Sequence, residues 1–450
     1  MKKIWRCIAV LLSSAVISAS LAGCGGEKVV TEHHQQTQIS FSWWGNDTRN
    51  EYTLEAVHKF EELHPDIKVN CSYSEWSGYE ARSHVRMVSN TEADVMQINF
   101  GWLTDHSPDG KGYYDLEQQK DVLDLSTFTD EYLEYGRMNG ILNAVPIAMN
   151  TETIYINQTL YEKYGLDVPK TWDDFFTAAK VMKKDGVYPL AGAQKSMWLV
   201  LLAYAEQQNG KTLLNDDGSL RFEAEDFQIM LEEYREMVEA KVIPQVEYFV
   251  RTEIDNCNYA GAIAWVSDAA NYFSPRIDAG DNIVVADYPN FDPVNSGVGW
   301  YAKPAQLYAV SKNTEQPREA AMLVDFLVNS REMALLQGVE KGIPLSSDAK
   351  KYMDEEGMLQ GIQYEASQKM DADDNMLSMQ PFLENADVID AFMAECNEVL
   401  YDKASPETAA WKLYQAAKQC VGPGKSNLPF ELRRKAGDCS RVTAGPIDLI

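Results

Sequence analysis

Between Ile39 and Tyr73 the hydrophobic period changes twice, and that change narrows the fold more than any other feature of the chain. Apolar residues alternate at Ile39, Phe41 and Trp43, as in a strand with one buried face. They then recur at helical spacing over residues 51–63, at Leu54, Val57, Phe60 and Leu63, until Pro65 stops the helix. Alternation returns at Ile67, Val69, Cys71 and Tyr73. Strand, helix, strand is the unit that builds a parallel sheet with helices on its faces. A further helix over residues 79–88 and a short strand over 94–98 continue the pattern, so the expected class is α/β.

Farther along, Thr171 is a natural N-cap for a helix reaching about residue 184, with Asp173 and Asp174 in its first turn. Helical spacing recurs over 196–208, 224–240, 317–337, 387–400 and 406–419, and short apolar strands fit 262–266, 283–286 and 307–310. No internal repeat or low-complexity block interrupts the 450 residues, which at roughly 100 to 200 residues per domain make two or three globular units.

The start of the chain reads as an export device. Lys2, Lys3 and Arg6 precede a mostly apolar run from Cys7 to Ala19 that is too short to span a hydrocarbon core. Leu21-Ala22-Gly23-Cys24 resembles the bacterial lipobox, which implies removal of residues 1–23, lipidation of Cys24 and anchoring to the outer face of the cell membrane. Residues 24–37 then form a flexible polar tether. The net charge of -28 repels phosphate backbones, which argues against a nucleic-acid partner. Cys71, Cys257, Cys396, Cys420 and Cys439 are scattered without close pairing, so neither a disulfide framework nor a zinc site is expected.

Catalytic constellations fail at their required spacings. All six His lie in the first quarter of the chain and none forms an HExxH helix. Gly424-Lys425-Ser426 ends like a phosphate loop, but Gln419 stands where its first Gly belongs. Asp371, Asp373 and Asn375 begin like a calcium loop, with Met376 at the turn Gly and Phe382 at the bidentate Glu. Ser347-Asp348-Ala349-Lys350 is an S-x-x-K without its K-T-G partner. The expectation is no catalytic residue, no metal and no cofactor. Paired carboxylates for glycan hydrolysis remain open, because their defining feature is a separation in space.

What remains is aromatic. Trp44, Trp102 and Trp265 stand beside short polar residues, and Trp198 and Trp300 add further flat faces. A pocket combining rings with amides and carboxylates suits a pyranose, whose C–H face stacks while its hydroxyls need donors and acceptors. Each Trp has a core reading as well. It is weaker for Trp44 and Trp102, which follow strands and fall at carboxyl ends, where open α/β sheets bind ligands.

Several stretches together resemble the extracellular solute-binding proteins of bacterial sugar ABC importers, the maltose-binding-like class. They are Phe41-Ser42-Trp43-Trp44-Gly45, Phe60 through Val69, Ala93 through Gln97, Val145-Pro146-Ile147 with Tyr155-Ile156-Asn157, Pro169 through Asp173, and Trp300 through Lys312 with Glu319-Ala320-Ala321 and Gly342-Ile343-Pro344. The resemblance covers about residues 38–420. It implies a monomeric type II binding protein with two sheet-and-helix lobes, 38–148 plus 303–345 and 149–302 plus 346–420, closing on a carbohydrate and delivering it to a permease. The ligand contacts it implies are Asn46, Gln97, Asn99, Trp102, Asn150, Trp198, Asp268 and Trp300, to which the aromatic reading adds Trp44 and Trp265. The basic tail, 421–450, looks foreign to the family and is expected to pack poorly. The alternatives are an extracellular glycan hydrolase and a binding protein for a non-sugar solute such as a peptide or polyol.

Overall fold

The computed structural model describes residues 36–215, 218–291, 299–371 and 377–421. The export segment with Cys24, most of the tether, the core of the calcium-like loop and the basic tail lie outside the described residues. Among the described residues no helix is long and apolar enough to cross a membrane.

β1 (Thr37–Trp44) and β2 (Ile67–Ser74) pair in parallel from Thr37 opposite Ile67 to Trp44 opposite Ser74, with the helix Asp47–Leu63 between them in sequence. Ile39, Phe41 and Trp43 are buried, as their alternation predicts. Val57 and Phe60 bury the helix, whereas Leu54 and Leu63, counted in the same stripe, are exposed. After the helix Trp76–Ser89 comes β3 (Val95–Ile98), buried at all four positions and parallel to β1.

A hairpin of β4 (Arg137–Met138) and β5 (Ile141–Leu142) precedes β6 (Ala144–Asn150), and β7 (Glu152–Asn157) begins after Thr151. β7 is the middle strand of a second sheet, antiparallel to both β8 (Gly261–Trp265) and β9 (Ile283–Ala286). β10 (Tyr301–Val310) then returns to the first sheet, antiparallel to β3 and β6, and β11 (Leu377–Ser378) pairs with its start. The first sheet has the order β11-β10-β3-β1-β2, with β6 also on β10.

The chain therefore crosses between sheets twice, and the crossings lie side by side. Lys303 is opposite Asn150, and the Thr151 hydroxyl donates to the Tyr301 carbonyl at 3.2 Å. This two-sheet architecture with flanking helices is the α/β class that the sequence predicts.

Thr171 caps the helix Trp172–Met182 through a reciprocal pair: its hydroxyl accepts from Asp174 N–H at 3.2 Å, and the Asp174 carboxylate accepts from Thr171 N–H at 2.9 Å. The helical stretch 317–337 is two helices, Pro317–Asn329 and Arg331–Gln337. Ser330 is extended there, and its hydroxyl accepts from Met333 N–H to start the second.

Candidate functional site

At the carboxyl ends of β1 and β3 the backbone turns tightly. A Cβ on Gly45 would lie 2.6 Å from Cβ of Arg49, so only glycine lets the chain pass this close to the helix it enters. Asn46 caps that helix by accepting from Arg49 N–H at 2.9 Å and is itself exposed. Asn99 accepts from Gly101 N–H at 3.0 Å and so shapes the turn after β3. Gln97 has no exposure: its amide donates to the Trp44 carbonyl at 3.3 Å, while Oε1 is buried without a protein partner. The Tyr52 hydroxyl is buried unpartnered as well.

Charged groups stand close by. Arg49 pairs with Glu340 at 3.0 Å. Lys341, 1% exposed, donates to the Tyr308 hydroxyl at 2.8 Å and lies 5.7 Å and 5.2 Å from the Tyr52 and Tyr308 rings. Burial, then the nearby Arg49 charge, brings its ammonium down to about 7.

Trp44 and Trp102 belong to one aromatic cluster. Trp102 stacks on Tyr79 at 5.9 Å and on Trp76 at 6.1 Å, with His84 at 4.9 Å and Trp44 at 6.3 Å. His84 and His106 touch, ring nitrogen to ring nitrogen, at 2.6 Å. Burial lowers both, and the His84 charge adds to the effect on His106, which falls to about 4.

The second half of the site is at the crossing. Asn150 donates to the Ser267 hydroxyl at 3.0 Å and accepts from Ser267 N–H at 3.1 Å, joining the end of β6 to the turn after β8. Across the β7–β8 pairing, Glu152 is opposite Trp265. Lys303 donates to both carboxylate oxygens of Glu384 at 2.6 Å, and Lys195 pairs with the same carboxylate. The two ammonium groups lie 5.0 Å (Lys195) and 5.2 Å (Lys303) from the Trp265 ring, a cation–π arrangement.

These contacts set the charge states. Burial opposes ionisation of Glu384, but the ammonium groups of Lys303 and Lys195 outweigh it and hold the carboxyl down at about 2. Glu152, buried with Oε2 unpartnered, is pushed up by that burial to about 7. Asp268 is raised by burial, with Arg49 pulling the other way.

The structure thus gathers Trp44, Asn46, Gln97, Asn99 and Trp102 at the ends of β1 and β3, and Asn150, Trp265 and Asp268 around the crossing. Two further residues of the expected set are buried. Trp198 has no exposure, packs on Phe392 at 5.3 Å and donates to the Leu383 carbonyl at 3.1 Å. Trp300 is 2% exposed and packs on Tyr288 at 5.9 Å. Both fill the core.

Sequence reasoning passed over Lys195, Lys303, Glu384, Glu152 and Ser267. One signal was available: Lys195 falls in the first turn of the helix Gln194–Asn209, where a cation meets the unfavourable end of the helix dipole.

Burial pushes the Cys71 thiol up to about 11 and raises Cys396 well above the ordinary range. Among the described residues no group of three or more His, Cys, Asp or Glu side chains is placed to hold a metal ion.

Comparison with known proteins gives the class. The chain belongs to the bacterial extracellular solute-binding proteins, whose family model matches residues 44–334. It is similar to the melibiose/raffinose/stachyose-binding protein MelE of Bacillus subtilis (strain 168), 24% identical over 365 residues that make up 74% of this chain and 80% of that one.

Among solved structures it is similar to a periplasmic oligogalacturonide binding protein from Yersinia enterocolitica in complex with saturated digalacturonic acid. The TM-score is 0.74 at 28% identity, covering 85% of this chain and 98% of that one. A de novo designed cysteine esterase shares the fold too, with a TM-score of 0.77 at 28% identity, covering 86% of this chain and 98% of that one.

Proposed function

We propose that this chain captures a mono- or oligosaccharide at the crossing between its two sheets, closes on it and delivers it to an ABC importer permease. The observation that carries the reading is the Asn150–Ser267 junction, flanked by the partly open Trp265 ring and by Glu152 Oε2, a buried polar atom without a protein partner; a second such atom, Gln97 Oε1, lies at the end of β3, where the same amide bonds the Trp44 carbonyl. Buried polar groups are ordinarily satisfied, so an orphan beside an aromatic ring suits a ligand rich in hydroxyls. The saccharides bound by the relatives named above support the same chemistry. On this reading the lobes divide about as 38–148 with 303–345 and 149–302 with 346–420.

Hydrolysis is the weaker reading. Glu152 and Glu384 have charge states pushed apart as an acid and a nucleophile would require, but both oxygens of Glu384 are engaged by Lys303. Intact sugar recovered after long incubation is the expected outcome; shorter products would revive the enzyme.

Small-angle scattering tests capture. A saccharide that saturates the protein should reduce its radius of gyration, because a ligand favours the closed state only by touching both lobes. An unchanged radius at saturation would leave a rigid site. Anchoring through Cys24 is part of the proposal: Cys24→Ser should release a soluble protein that takes up no lipid label, and retention in the membrane fraction would remove the anchor from the account.

A further inference from the structure

The saccharide-binding reading leaves the class of sugar open, and the charges beside Trp265 narrow it. Two lysines converge on one carboxylate. Lys303 arrives from β10, its side chain 10% exposed; Lys195 arrives from the first turn of the helix Gln194–Asn209 with its side chain 32% exposed. Ala193 precedes that helix and offers no side-chain cap, so the positive end of the helix dipole adds to the same field.

Glu384 balances one ammonium and leaves the other in excess. The remaining acid at the cluster, Glu152, is pushed up by burial to about 7 and so offers a weakened counter-charge, with Oε2 unpartnered. Holding surplus positive charge in a largely buried place costs free energy unless an anion arrives, and burial lowers the Lys303 ammonium accordingly, with Glu384 pulling the other way. In a chain of net charge -28 the surplus does not come from a shortage of acids.

Resting on the saccharide reading and naming its substrate class, we propose that the sugar is acidic, its uronate carboxylate received by the Lys195 ammonium, with Lys303 behind it, beside the Trp265 ring. A uronic acid carries its carboxylate on the pyranose ring, so one residue can present an apolar face and an anion together. Lys195 is the contact group, because it is the more exposed of the two and bonds one oxygen of Glu384 where Lys303 bonds both. Glu384 is the internal carboxylate with which the uronate competes for the two lysines.

The test is calorimetric titration of the full chain with digalacturonic acid, with a glucuronic acid disaccharide and with melibiose, at low and high salt. One uronate should bind about tenfold to a hundredfold tighter than melibiose, the worth of a charged hydrogen bond. The preference should shrink at high salt. Lys195→Met should abolish the preference and Lys195→Arg should keep part of it. Should Lys195→Met fail to fold, Glu384→Gln, which removes the competing carboxylate, should widen the preference. Melibiose binding as tightly as both uronates overturns the acidic class and leaves saccharide capture standing. No binding by any of the three or by a wider saccharide panel overturns both.

Discussion

Trp102 and Trp265 occupy comparable places: Trp265 is the last residue of β8 and Trp102 lies just beyond the carboxyl end of β3, each with short polar residues beside it. Trp102 is nevertheless 2% exposed, walled in by Trp76, Tyr79 and His84 from the helix Trp76–Ser89, whereas Trp265 is partly open and is approached by two ammonium groups. Position at a strand end does not by itself make a binding surface. What covers the ring decides. On the β3 side an aromatic helix face covers it and the cluster satisfies itself; at the crossing, charged groups border a ring that still has room.

The largest effect that would break this comparison is on stability. Trp102→Ala and Trp198→Ala should each lose about 3–5 kcal/mol in urea denaturation, as truncated core aromatics do, with affinity of the folded protein changed much less. A Trp102→Ala protein that keeps its stability and loses its ligand would put Trp102 in the binding surface. Trp265→Ala should behave the opposite way, costing about 1–3 kcal/mol of affinity with a smaller cost in stability. Asn150→Ala comes next. It removes both hydrogen bonds to Ser267 and should cost about 1–2 kcal/mol of stability. An unchanged denaturation midpoint would mean that the junction is held by other contacts.

The smallest effect contrasts the halves by pH. Glu206 accepts from the Tyr301 hydroxyl at 2.7 Å and from Leu213 N–H at 2.7 Å, and burial raises it to about 7. A raised carboxyl contributes stability that is fully present below its unfolded value of 4.5 and is lost as pH rises toward 7. His106 is lowered to about 4, so its contribution is present above 6.5 and is lost as pH falls toward 4. Between pH 4.5 and 7 the melting temperature of Glu206→Gln relative to the parent should therefore climb with rising pH, and that of His106→Asn relative to the parent should fall. Parallel curves for variant and parent would contradict these assignments.

Much of the architecture was legible in local periodicity. The β1-helix-β2 unit, the Thr171 cap and the strand Ile283–Ala286 follow from alternation, helical spacing and capping chemistry, all of which act over a few residues. Elements without such signals were missed: the helix Ala269–Asp278 carries Pro275 in its interior, and β7 is buried at every position and so shows no alternation. The break at Ser330 was hidden because the apolar spacing runs on through it.

The site was legible only in residue type. Placing Trp198 in the core requires knowing that Leu383 and Phe392, far along the chain, pack on it. The Lys195–Glu384–Lys303 cluster joins three distant segments and has no local pattern at all.

The most direct test of the central claim, a saccharide held at the crossing beside Trp265, is titration of the intact protein and of Trp265→Ala in parallel with a panel of neutral and acidic saccharides. The account predicts one saturable site per chain for a member of the panel, weakened about tenfold or more in Trp265→Ala while the variant remains folded. Saturable binding that Trp265→Ala leaves unchanged, or no saturable binding of any saccharide, would contradict it.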